Sequence, residues 1–284
     1  MLTIRAWRDN HKENGMPALY AHLRFGEETA KLLPQSLQDL ISTYPEAFRL
    51  GTQGPDILFY HRPLKKNEIR AHGYALHGQS GETFFTEQAK KLRANQENDA
   101  LKAYTCGFLC HYTLDTLWHP FIDEHSDDIV SHGRIESEFD KHILRKDGKP
   151  IRGHKAAKQI INNNGVQEAC SITVDTPQRN IAIAIKTMRK FNSWFSKKSK
   201  LFHFSVHCLL KILGMDRKFG DMFTHKKDAP LCAAFNETLY EKFSNGQALA
   251  AEFIQDYFDN LEQIADTGVI EKDFFRYNFS GIKN

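Results

Sequence analysis

Residues 98–119 read NDALKAYTCGFLCHYTLDTLWH. Twenty-two residues without Pro and with helix-period apolar positions predict one continuous helix of about 33 Å at 1.5 Å per residue. Phe108, Leu109, Tyr112, Leu114, Leu117 and Trp118 cover most of its circumference, and a helix apolar on nearly all sides is buried. Yet the same stretch carries His111, Asp115 and His119 at successive i, i+4 positions. That spacing puts three metal-competent side chains on one face, and enclosed charge needs partners. Cys106 and Cys110 are also four apart, but one helical Cys pair makes a poor metal site, so they read as small core residues.

Downstream, the acidic loop IDEHSDDIVS leads into a second helix over 132–145 that repeats the device as His132-x-x-x-Glu136-x-x-x-Asp140. Two such stripes facing each other form a pocket of imidazole and carboxylate, the nitrogen and oxygen donor set of zinc. Read alone, either stripe also fits a solvated charged face. The helix ends in the turn KDGKP at 146–150.

Helical periodicity continues in both directions. Upstream it runs from Ala18 to Leu33, restarts at Pro34, and returns over 83–94. Residues 50–63, LGTQGPDILFYHRP, hold Gly51, Gly54, Pro55 and Pro63, which predicts an ordered loop. Beyond the turn, helices are expected over 154–162, 166–172, 177–196, 201–213, 229–243 and 246–264. No strand-like alternation persists, so the fold class is all-α: a multi-helix bundle with a metal cluster between helices. The expected domains are an extension at 1–15, a metal-binding unit at 16–150 and a helical region at 151–284 packing on it.

Composition narrows the class. The chain has 284 residues, 41% of them hydrophobic, and a formal net charge of +3, which suits a globular protein rather than a disordered one. Ten of its 14 His fall at or before His142, concentrating the commonest metal-ligating side chain in the first half. No run of about 18 apolar residues exists, so no membrane-spanning helix is expected. The polar start MLTIRAWRDNHKENG lacks a signal core, and five Cys without framework spacing fit a reducing compartment. A cytoplasmic, membrane-peripheral location is the expectation.

Between 186 and 227 there are eleven Lys/Arg against two Asp, interleaved with Phe191, Trp194, Phe195, Phe202 and Phe204. This suits an interfacial helix on anionic lipid, a core helix with a solvated basic face, or, on charge alone, a nucleic-acid surface.

The ordered series His22-Leu-Arg-Phe-Gly26, Gly51-x-x-Gly-Pro-Asp56, Leu76-His77-Gly78, Gly107-Phe-Leu-Cys-His111-x-x-x-Asp115-x-x-x-His119-Pro120 and His132-x-x-x-Glu136-x-x-x-Asp140 resembles the bacterial zinc-dependent phospholipase C family. The resemblance spans 17–140 and implies an all-helical fold with two or three Zn2+ ions in one cleft. By position it implies Asp56, His77, His111 and Asp115 for a first zinc, and His119, His132 and Glu136 for a second. His22, with Asp115 shared, is implied for a third. Asp140 is expected to orient a ligand rather than to ligate. His61, His72, His125 and His142 share no stripe and are expected to be structural or solvent-facing.

Two departures accompany the resemblance. Secreted members complete the third site with the amino group of an N-terminal Trp, which this chain lacks. Translation from Met16, preceded by a Lys12-Glu13 pair that a ribosome-binding purine run can encode, would offer the Pro17 amine near His22 instead. The three-residue gap between Asp115 and His119 is also shorter than in the secreted enzymes.

The activity implied is phosphodiester hydrolysis by a metal-bound hydroxide, with Asp56 as catalytic residue orienting or deprotonating the water, and a second water protonating the leaving group. The substrate would be a phospholipid or another phosphodiester. A nuclease of the related tri-zinc fold and a non-catalytic metal-stabilised helical module are the alternative readings.

Overall fold

A computed structural model describes residues 18–127, 130–212 and 229–283. The extension at 1–15, the proposed start at Met16 and positions 213–227 of the basic segment lie outside the described residues. The fold is all-α. In chain order the helices are α1 Leu19–Ala30, α2 Gln35–Thr43, α3 Pro45–Gly51, α4 Glu68–His77, α5 Gly81–Ala94, α6 Asp99–His125, α7 His132–Lys146, α8 Asn164–Thr173, α9 Gln178–Phe195, α10 Lys200–Ile212, α11 Pro230–Asp259 and α12 Leu261–Thr267. Short 3-10 turns stand at Gly54–Tyr60, Ala156–Gln159 and Asp273–Arg276.

Local chemistry sets the helix starts. Asn67, Ser80, Asn98, Ser131 and Asn163 accept from the N–H three residues on, capping α4, α5, α6, α7 and α8, which satisfies donors that the first helical turn leaves orphaned.

The helix expected from 98–119 is the axle of the fold. α6 is 27 residues long and continues through Pro120 to His125. Around it stand α1, α3, α8 and α11, with α7 packed against α1 and α11. The approach of α3 is close enough that a Cβ on Gly107 would collide with the Phe48 carbonyl, and one on Gly51 with the Tyr104 carbonyl. One apolar core joins both sides of the 146–150 turn, with Phe25, Phe108, Trp118 and Phe139 meeting Leu239, Phe243, Tyr257, Phe275 and Phe279.

Three expectations shift. The sequence reads as two helices over 229–243 and 246–264, whereas α11 is one helix of 30 residues. Gly246 is no break: its bare Cα lets α11 close on α6, since a Cβ there would lie 2.8 Å from Leu117 Cδ1. The helix expected over 154–162 shrinks to the turn Ala156–Gln159. α3 and α4 arise where the sequence reads as loop or as no element, because Gly-Pro punctuation at 51–63 hides the helices on either side of it.

The last residues form a strap. Tyr112 Oη donates to the carbonyls of Phe274 and Tyr277, Thr116 donates to the Asn278 carbonyl, and Phe279 N–H donates to the His77 carbonyl. Pro120 cannot donate to the Thr116 carbonyl as a helix interior normally would. Gly281, at φ +68°, lies against that carbonyl and the Pro120 ring, where a Cβ would not fit.

Candidate metal centre

Five elements converge. α1 supplies His22, the 3-10 turn Gly54–Tyr60 supplies Asp56, the end of α4 supplies His77, α6 supplies His111, Asp115 and His119, and α7 supplies His132 and Glu136. Donor atoms of Asp56, His77, His111 and Asp115 all lie within 4.8 Å of one another, and so do those of His119, His132 and Glu136.

In the first group His77 Nε2 is 3.0 Å from Asp56 Oδ1 and His111 Nε2 is 3.0 Å from Asp115 Oδ2. Asp115 Oδ1 faces the other way, 3.3 Å from His22 Nε2 and 3.7 Å from His119 Nε2. The second group closes through Glu136 Oε1, 3.8 Å from His119 Nε2 and 3.3 Å from His132 Nε2. Asp115 is therefore the link between the groups. The three-residue gap to His119 is one helical turn, which lets His119 reach toward both carboxylates.

Asp56 reaches His111 because Gly54 lets it. Gly54 sits at φ +48°, and any Cβ there would overlap the His111 imidazole. Only glycine satisfies the backbone and the approach together.

Ring orientation is set from outside the donor groups. His77 Nδ1 lies 2.7 Å from the Gly73 carbonyl, so that nitrogen carries the proton and Nε2 is left to point at Asp56. His132 Nδ1 lies 2.9 Å from Asp123 Oδ1, which makes Asp123 the carboxylate behind this imidazole, the usual second partner of a ligating His. Asp140 takes the N–H groups of Tyr20 and Ala21 at 3.1 and 2.8 Å. Ala18 gives α1 no side-chain cap, so Asp140 caps α1 from α7, just before His22.

The C-terminal strap and the 3-10 turn complete the walls. The Phe279 ring lies 5.4 Å from His77 and 6.0 Å from His111, centroid to centroid, while Phe59 stacks on His77 at 5.2 Å.

The electrostatics follow from burial. His22 is pushed down to about 4 by burial, with His111 beside it adding to the shift, so it is a neutral imidazole. Burial also acts against charge on His77, His111, His119 and His132, but Asp56, Asp115, Glu136 and Asp123 outweigh it and raise all four, His132 to about 10. Burial opposes ionisation of Asp115 and Glu136 as well. His111 and His119 nevertheless hold Asp115 below the usual carboxylate range, and His132 brings Glu136 to about 2.

The donor set fits zinc. Both ring nitrogens of His22, both of His111 and Asp115 Oδ2 are buried without a hydrogen bond, a cost that native interiors rarely carry. At 3.0 Å the His111 and Asp115 atoms are near but not aligned as donor and acceptor. A tetrahedral zinc with donors at about 2.0–2.2 Å separates them by roughly 3.3–3.6 Å, close to the spacings here. A cation held between His111 Nε2 and Asp115 Oδ2 satisfies both of these atoms.

His61, His72, His125 and His142 stand apart from the cluster. His72 Nε2 meets the Val174 carbonyl, His125 Nδ1 the Phe121 carbonyl, and His61 Nδ1 the Asn67 side chain, while His142 stacks on Phe139. Cys106 and Cys110 are buried free thiols.

A family model described as zinc dependent phospholipase C matches residues 21–182. The chain belongs to the zinc dependent phospholipase C family. The match takes in His22 and every residue of the two donor groups, and it runs past the 146–150 turn through α8 into α9. No curated protein and no solved structure matches the chain. Zinc dependent phospholipase C membership and the donor geometry thus point to the same cleft.

Asp123, the Gly73 carbonyl and Phe279 were not legible as site residues. Asp123 falls in the stretch that the sequence reads as an acidic loop but that forms the last turn of α6, Gly73 acts through its backbone, and Phe279 comes from the far end of the chain.

Proposed function

We propose that the protein is a zinc-dependent phosphoric diester hydrolase of the phospholipase C type, acting on a phospholipid or a related phosphodiester. The observation that carries the reading is Asp115, one carboxylate shared between a buried donor group and a part-exposed one in a member of this family. Zinc bound there supplies a Lewis-acid grip on phosphate oxygens and lowers the pKa of water toward neutrality.

The protein's own groups do the rest. Asp56 is buried and has one oxygen against His77, which leaves the other to orient a water and take its proton. Burial, together with Asp56, Asp140 and Glu136, pushes the nearby Tyr60 phenol well up, so it stays a neutral donor. Asp56, His77, His111 and Asp115 are walled from solvent, whereas the His132 side chain is 32% exposed. Substrate therefore approaches from the His119–His132 side.

The test is metal analysis of the purified chain followed by assay on phospholipid vesicles, single-stranded nucleic acid and a soluble phosphodiester. Release of phosphorylated headgroup, abolished by chelation and restored by zinc, is expected. Zinc-loaded protein inert on every ester, or active on nucleic acid alone, contradicts the proposal.

A further inference from the structure

α10 has an apolar stripe that faces solvent. Leu201, Phe204, Cys208 and Ile212 follow at i, i+3, i+7 and i+11, one face of a helix, and all four are exposed, Leu201 at 75%, Phe204 at 68% and Ile212 at 82%. Phe202 and Val206, on another side, are half-buried. Contiguous exposed apolar surface of this kind marks a place where something binds.

The charge around the stripe is one-sided. Residues 186–212 hold seven Lys/Arg and no Asp or Glu, and Lys190, Lys197, Lys198 and Lys211 are exposed. Lys190 lies over the Trp194 ring at 4.5 Å and Lys197 over Phe202 at 4.1 Å, so cations flank the aromatic groups at the end of α9 and the start of α10. A helix with a cationic flank, an apolar stripe and a neighbouring Trp matches a surface that sinks shallowly into an anionic bilayer.

Its place in the fold connects it to the cleft. α9 packs on the 3-10 turn that carries Asp56. Residues at its end, Asn192, Phe195 and Ser196, line a cavity together with Tyr60 and Asp140. The end of α9 therefore lies beside the metal-bearing elements, and α10 follows it directly in the chain.

We propose that α10 and the end of α9 dock the protein on anionic phospholipid membranes, with Leu201, Phe204 and Ile212 entering the interface and the flanking lysines pairing with lipid phosphates. The choice of a bilayer over another partner rests on the phosphodiesterase reading, since that substrate resides in one. Each Lys or Arg near an anionic surface strengthens partitioning roughly fivefold.

Flotation of the full chain tests this without turnover. Phosphatidylcholine vesicles are compared with vesicles of equimolar phosphatidylcholine and phosphatidylglycerol, at low and high salt. Binding about tenfold or more stronger to the anionic vesicles, weakened by salt, is expected. Leu201→Asp/Phe204→Asp should lose about tenfold and, separately, Lys197→Glu/Lys198→Glu about 25-fold or more, while hydrolysis of a soluble phosphodiester stays at the parent level. Equal binding to both vesicle types overturns the inference, as does full binding by both variants. A dimer broken by the Asp variant with vesicle binding intact overturns it too, assigning the stripe to a second copy. Lost catalysis with vesicle binding retained counts against the enzymatic reading alone.

Discussion

His132 turns Nδ1 to Asp123, 2.9 Å away, and Nε2 to Glu136, 3.3 Å away. The Asp123 carboxylate fixes the ring and its tautomer from outside the donor group. Asp123→Asn should therefore lower zinc affinity of the second group by about 10–100-fold, with little change in folding because the Asp123 side chain is exposed. Competition against a chelating dye measures it. Unaltered affinity would mean that Asp123 is a bystander.

Gly54 admits Asp56 to the cluster. Gly54→Ala should cost about 1–3 kcal/mol in backbone strain and displace His111 from Asp115, removing zinc from the first group. Gly148 also has positive φ but has nothing within 4 Å of a Cβ. Gly148→Ala should cost only the left-handed backbone strain of about 1–2 kcal/mol and keep full zinc. Denaturant titration and metal analysis of the pair separate the general strain from the local collision.

Phe279 ties the C-terminal strap to His77 and His111. Phe279→Ala removes a fully buried ring and should cost about 3–5 kcal/mol, whereas Phe279→Leu should cost less and keep zinc at a lower melting temperature. If the Ala variant kept both stability and metal, the strap would not belong to the centre.

Much of the centre was legible because α6 and α7 print their donors at helical spacing: His111, Asp115, His119, His132 and Glu136 need only the i, i+4 rule. His22, Asp56 and His77 share no element with them, so no periodicity joins them, and only the ordered family resemblance placed them in the cleft. Gly54 reads as loop punctuation, but its partner, the His111 ring, is beside it only in the folded chain. The strap escaped for the same reason, since Phe279 reaches His77 from the opposite end of the sequence. Asp140 is expected from sequence to orient a ligand, and it meets the backbone of α1 just before His22 rather than an imidazole.

In the metal-free protein His132 is held protonated, its pKa raised to about 10 by Glu136 and Asp123 against the effect of burial. A raised histidine contributes stability fully below its unfolded value of about 6.5, and loses it as pH climbs from there through about 10. Zinc must displace that proton. Calorimetry at neutral pH in buffers of different ionisation enthalpy should show proton release on zinc binding, with affinity rising as pH is raised. Buffer-independent heats would place His132 outside the ligand set.

The most direct test of the shared centre is the zinc content of Asp115→Asn, read beside its phosphodiesterase activity. Asp115 faces His111 through one oxygen and His22 and His119 through the other, so the amide should deplete zinc in both groups and abolish turnover while the helical fold persists. An Asn variant with parental zinc stoichiometry and parental activity would contradict the assignment of Asp115 as the carboxylate on which both groups depend.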